Sequence, residues 1–125
     1  MIDVRLASLF IGAVAGSAIT QTVTAQLAPP AYFVAEAVVT NPDADKAVIS
    51  KLPDTARRYG GKYLARGGNT IAFGGESPHR IIIVAFDSME RIRAWRSDPQ
   101  VQDLEKERMG IGTTLRHYAV EGLPQ

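Results

Sequence analysis

The sequence predicts an α+β fold of the ferredoxin-like kind, β-α-β-β-α-β, with a four-stranded antiparallel sheet and its helices on one face. Three observations predict it. Apolar runs of strand character stand at residues 32–39 and 80–86, and a last stretch at 113–121 also reads as a strand. Two stretches between them repeat apolar residues at helical spacing. Glycine pairs at a constant interval follow the first helical stretch, which is the chemistry of turns between short strands.

The chain of 125 residues is 46% hydrophobic and 22% charged, with Gly 11, Pro 7 and no cysteine. That composition excludes disordered, collagen-like and disulfide-stapled classes. Its 14 Lys+Arg against 13 Asp+Glu give a formal charge of +1, too balanced for a nucleic-acid partner or an anionic membrane surface. One ordinary globular domain is expected.

No charge occurs between Arg5 and Glu36. Within that gap residues 6–19 form an apolar run, short of the ~20 residues of a bilayer-spanning helix but suited to a signal-peptide core. Val23-Thr24-Ala25 is a small-residue pattern that places cleavage before Gln26. The sequence therefore reads as a signal peptide at 1–25, with an uncleaved anchor or a buried helix as the alternative. Export follows, to the periplasm if the host has an outer membrane, with no membrane contact after cleavage. The remaining 100 residues keep a charge of +1, and the lack of cysteine suits an oxidising compartment. Residues 26–31 read as a linker, since Pro29-Pro30 forbid helix. The domain is expected at 32–122, with 123–125 as a tail.

The first strand, 32–39, is apolar on both faces except at Glu36. Asn41-Pro42-Asp43 supplies a capping amide, a proline at the first helical position and an acid at the positive helix end. Val48, Leu52, Ala56 and Tyr59 form the buried stripe, and Pro53 divides the helix in two. Gly60-Gly61, Gly67-Gly68 and Gly74-Gly75 bracket two segments of strand length, 62–66 and 69–73, so an extra short strand is expected. A phosphate-cradling loop is the sharper reading of these glycines, but the spaced fingerprint and the Lys-Ser/Thr pair are missing. Residues 80–86 are the strongest strand. Asp87-Ser88-Met89-Glu90 resembles a capping box opening a helix with Met89, Ile92 and Trp95 inward. Asp98-Pro99 restarts that helix, with Val101, Leu104 and Arg108 on one side. Gly110 and Gly112 close it ahead of the last strand. Strands apolar on both sides need a cover opposite the helices, which a second copy supplies through an isologous interface.

Ala31-Tyr32-Phe33-Val34-Ala35-Glu36, the Asn41-Pro42-Asp43 start, Tyr59-Gly60-Gly61-Lys62-Tyr63-Leu64-Ala65-Arg66-Gly67-Gly68, Phe86-Asp87-Ser88-Met89-Glu90, Ala94-Trp95 and Val120-Glu121-Gly122 together resemble the bacterial domain-of-unknown-function family numbered 1330. The resemblance spans Tyr32 to Gly122. It implies a dimeric α+β barrel, two sheets closing around a cavity, with relatives among small monooxygenases, isomerases and haem enzymes, and it brings no settled activity. The sequence departs from the family pattern where Gly74 replaces an acid, where Ser77 replaces a common tryptophan, and around Arg96-Ser97-Asp98-Pro99.

Among residues that could do chemistry, Glu36 interrupts a strand whose same-face neighbours Tyr32, Val34 and Val38 are expected to face a barrel interior. It is a candidate general acid or base, or one half of a structural ion pair with Arg66 or Arg116. Arg66, before a glycine turn, could clamp a ligand carboxylate through a bidentate fork. Tyr59 and Tyr32 are further ligand-binding candidates. His79, in a loop, and His117, in the last strand, are of the residue type that exchanges protons near neutral pH. They lack ligand spacing, so no metal and no cofactor is expected. The charges of the second helical segment, Arg91, Arg93, Arg96, Lys106 and Arg108 among acids, read as a solvated face. Two functions remain: an exported homodimeric barrel that binds a small aromatic or carboxylated molecule with Glu36, Arg66 and His117 in its cavity, as a cofactor-independent enzyme or a binder; or a noncatalytic homodimer whose buried charges fix the interface.

Overall fold

The computed structural model describes residues 27–125, so the expected signal peptide and Gln26 lie outside the described residues. Four strands, β1 (Ala31–Val39), β2 (Lys62–Arg66), β3 (Arg80–Phe86) and β4 (Gly112–Glu121), and four helices, α1 (Pro42–Ile49), α2 (Leu52–Arg57), α3 (Met89–Ser97) and α4 (Pro99–Arg108), follow the expected order. The sheet runs β2-β3-β1-β4, and every pairing is antiparallel. No helix among the described residues is long and apolar enough to cross a membrane.

Local chemistry accounts for the helix boundaries. Asn41 Oδ1 accepts from the Ala44 amide at 3.2 Å ahead of Pro42 at the first position. Pro53 and Pro99 each stand within the first turn of a new helix, so both helical regions are divided as their prolines require. Asp98 caps α4 by accepting from the Gln100 amide at 2.8 Å.

Strand alternation gives β1 two faces. Its odd residues Ala31, Phe33, Ala35 and Ala37 are buried against the helices. There Ala31, Phe33 and Ala35 join Val84, Phe86, Ile92, Trp95 and Val101 in the core. Trp95 stands edge-on to Phe33 at 5.1 Å and donates from Nε1 to Thr55 Oγ1 at 2.9 Å, which satisfies the one polar atom of its ring system. Gly61 is required by contact: a Cβ there would stand 2.7 Å from the Phe86 ring. The even residues of β1 lie on the opposite, open face with Ile81, Ile83, Tyr118 and Val120, by register. In the single chain that face is only partly sheltered, with Tyr118 and Val120 each 49% exposed.

Several sequence expectations are corrected. Residues 69–73 form no strand but part of the connection from β2 to β3, with Phe73 98% exposed. The segment has strand propensity but no partner and no core to lie on, and propensity expresses fit to a half-buried surface. Ala31 belongs to β1, not to the linker, and pairs with both Phe86 and Glu121. Gly112 opens β4. The expected capping box is replaced by a simple cap in which Ser88 accepts from the Arg91 amide, because the helix begins one residue later than that box requires.

Candidate functional site

Between the helix face of the sheet and the helices lies a cavity with Phe33, Ala35, Ile82 and Trp95 as its apolar walls. One register row crosses the sheet along its floor. Arg66 on β2 pairs with Ile82 on β3, Ile82 with Ala35 on β1, and Ala35 with His117 on β4. Strands lie ~4.8 Å apart, so three spacings set the Arg66 and His117 backbones about 14 Å apart, with both side chains on the cavity side. Strict alternation in β2 would send Tyr63 and Arg66 to opposite faces. A bulge between Tyr63 and Ala65 shifts the register and brings both to the cavity. The Arg66 guanidinium stands 5.7 Å from the Tyr63 ring centroid. Burial raises the Tyr63 phenol above its ordinary value, against the lowering charge of Arg66.

The roof is built of guanidinium arms. Arg96 of α3 donates a fork to Glu105 of α4 at 2.6 and 2.7 Å and sits over the Phe33 ring at 5.2 Å. For Glu105 burial is the largest influence and raises its pKa, but the Arg96 fork and charge outweigh it, so the carboxyl is held below its ordinary value. Asp45 of α1, fully buried, accepts from Arg108 Nε at 2.9 Å and Arg80 Nη1 at 3.3 Å. Arg80 in turn is covered by Gly67: a Cβ there would stand 2.8 Å from Arg80 Nε, and the turn takes φ +72°. The closed part of the cavity is small, about 40 Å³, room for roughly three waters.

The structure brings together two of the six sequence candidates here, Arg66 and His117. Glu36 is on the open face, separated from the cavity by the sheet. There it accepts from Arg116 Nε at 3.2 Å and, through its other oxygen, from the His79 amide at 3.0 Å, with His79 Nδ1 at 3.3 Å. The His79 amide bond, then its ring contact, lowers the Glu36 pKa, against the raising effect of burial. The expectation that Glu36 shares a cavity with Arg66 and His117 is therefore corrected: its parity puts it opposite. Tyr32 also lies on the open face, against Gly122. Tyr59 is outside the cavity, donating to Asp98 at 2.6 Å and lowering that carboxyl's pKa. Arg96 and Arg108 are not on a solvated face; their side chains are 21% and 15% exposed and turned to the sheet. The legible signal was position, since Arg108 falls on the stripe of buried Val101 and Leu104. Tyr63 and Arg80 escaped notice, the first through the bulge. Among the described residues no group of three or more His, Asp or Glu could hold a metal ion.

The sequence profile of the family described as "Domain of unknown function (DUF1330)" matches residues 30–123. No curated protein matches this chain. Among solved structures the fold resembles SnoaB, a cofactor-independent oxygenase from Streptomyces nogalater, with TM-score 0.57 and 13% identity over 78% of this chain and 97% of that one. It also resembles the methylated RPA0582 protein, with TM-score 0.57 and 17% identity over 86% and 90% of the two chains. A second structure of RPA0582 describes it as a protein of unknown function from Rhodopseudomonas palustris. The Arabidopsis thaliana protein AT3G17210 gives TM-score 0.57 and 12% identity over 82% and 94%. These likenesses show the α+β fold.

Proposed function

The chain belongs to the DUF1330 family, and from that premise we propose that it is an exported homodimer whose cavity binds a small planar acid and removes a proton from it without a cofactor. One observation carries the reading. Arg66, without a carboxylate within 4 Å among the described residues, faces His117 along a single row over an apolar floor. An uncompensated guanidinium anchors a ligand carboxylate as a bidentate fork. The ring lies on Phe33 and Ile82 beside Trp95, and the His117 imidazole at the far end takes the proton of a ring hydroxyl, whose O–H bond breaks and leaves its electron pair on the oxygen as a phenolate. The fold shared with a cofactor-independent oxygenase supports chemistry of this kind.

Trp95, the one tryptophan of the chain, lines the cavity and reports on its occupancy. Titration with benzoate, salicylate and phenylacetate at neutral pH is expected to change its emission saturably, and Arg66→Leu to weaken binding by about 10- to 100-fold, the worth of a charge-assisted bond. A folded protein that binds none of the three, by emission and by calorimetry, overturns the reading.

The open face supports the second copy: Val34, Ile83, Tyr118 and Val120 line it by register. Sedimentation at micromolar concentration is expected to give a dimer, and Tyr118→Lys a monomer. Fusion of residues 1–25 to a reporter active only after export tests the address. The noncatalytic reading is favoured at one place, the Glu36 cluster with Arg116 and His79, where the charges answer one another on the face assigned to the partner.

A further inference from the structure

The connection from β2 to β3 turns apolar side chains to water at its tip. Ile71 is 78% exposed and Phe73 98%, with Ala72 between them exposed as well. Glycine pairs flank this tip, Gly67-Gly68 before it and Gly74-Gly75 after it, and Gly67 and Gly75 take the left-handed backbone with φ +72° and +74°. A Cβ added at Gly68, Gly74 or Gly75 would meet no atom within 4 Å, so nothing among the described residues packs on the stem. Single exposed apolar residues are ordinary, but a run of three on a free-standing loop stays costly in water until something covers it.

Beside the foot of this arm, at the end of the sheet, lies a groove of about 840 Å³. Its apolar wall is Ala37, Val38, Val39, Pro42 and Ile49, and no residue of the tip lines it. Arg66 and Arg80 border both this groove and the cavity, so one leads to the other. The root of the arm, His79, is bonded to Glu36 on the open face, the face assigned to the second copy. An apolar tip and an apolar groove thus stand side by side at the margin of that face. A twofold axis between them carries each tip to the groove of the other copy, as an isologous contact requires.

We infer that residues 67–79 are an exchange arm: Phe73 of each copy seats in the groove of the other, against Val39, Pro42 and Ile49, and completes the ligand site by covering the Arg66–Arg80 mouth. The inference rests on the homodimer proposed above and gives it a second contact. Arg66, exposed in the single chain, is then screened from water, where its hold on a ligand anion is stronger.

The chain has no cysteine, so introduced cysteines report the contact. Phe73→Cys and Ser50→Cys are both changes at exposed positions, the second on the groove. Mixed and treated with a short bismaleimide, the two variants are expected to give a covalent heterodimer in yield well above the product of either alone. No heterodimer from a protein that sediments as a dimer overturns the arm and leaves the homodimer standing. A sedimenting monomer that forms no heterodimer overturns both. Binding to phosphatidylglycerol vesicles that is lost in Phe73→Ser, with no heterodimer formed, overturns the arm and gives the tip to a lipid surface. Completion of the site is read with benzoate: Phe73→Ser is expected to weaken binding about 10-fold, and mixing it with Arg66→Leu to return tight binding to part of the sites, since one chain keeps the site and the other lends the arm. Benzoate bound equally by Phe73→Ser and the unaltered protein overturns that completion.

Discussion

The two faces of the sheet carry charge in different ways. On the open face Glu36 is answered by Arg116 and by His79, and the remaining side chains of the row are apolar. On the helix face four guanidinium groups meet two carboxylates, with Arg66 unanswered among the described residues. Some members are neighbours in sequence, His79 beside Arg80 and Arg116 beside His117, so local sequence does not separate the two faces there, while Arg96, Arg108, Glu105 and Asp45 reach the helix face from the helices. The difference is one of balance: Glu36 is met by its partners on the open face, while on the helix face the guanidinium groups outnumber the carboxylates.

The contrast is broken most severely by removing the wall of the helix face. Trp95→Ala is expected to destabilise the protein by about 3–5 kcal/mol, through the lost apolar contacts, the void and the lost indole bond to the Thr55 hydroxyl, which keeps its own bond to the Leu52 carbonyl. Tyr118→Ala on the open face is expected to change stability by under about 1 kcal/mol at concentrations too dilute for self-association. Urea unfolding followed by circular dichroism compares them. Next, Asp45→Asn leaves two half-buried guanidinium groups without their anion. Breaking a fully buried pair costs about 3–5 kcal/mol, and the remaining exposure of both arginines reduces the expectation to about 2–4 kcal/mol. In the same variant the cavity gains one positive charge, so benzoate is expected to bind more tightly where the fold persists.

The smallest effect sharpens the comparison by pH. The folded-state pKa of Glu36 is lowered, chiefly by the His79 amide. Its contribution is therefore fully present above the ordinary value of 4.5 and is lost as pH falls from there through the lowered folded value. Glu36→Gln is expected to flatten that part of the acid limb of the urea midpoint, with no effect on ligand titration at neutral pH. A loss of binding in this variant would show that the two faces are not separate.

The architecture was legible because its signals are local. Asn41, Pro53 and Pro99 punctuate the helices, and the apolar runs at 32–39 and 80–86 admit few alternatives. The site was less so. Glu36 drew attention as a charge in an apolar strand, but alternation gives only which residues share a face, and not which face the helices cover. Tyr63 and Arg66 became co-facial through a bulge that no residue near Leu64 announces. Arg96 and Arg108 looked solvated because their neighbours in sequence are acids, while their partners Glu105 and Asp45 are distant in the chain or one helix away. The segment 69–73 shows the opposite failure: strand-like in composition, it has nothing to pair with.

The Gly122 amide donates to the Pro30 carbonyl at 2.7 Å, so the two ends of the described fold meet at one corner. A short tether from Gln125 to Leu27, with the chain reopened among the exposed residues between Gly68 and Gly75, would rearrange the order of the elements without breaking any pairing of the sheet. Such a circular permutant would expose its new termini beside Arg66, which makes that loop a port for grafting a sensor or a tag at the β2 edge of the sheet.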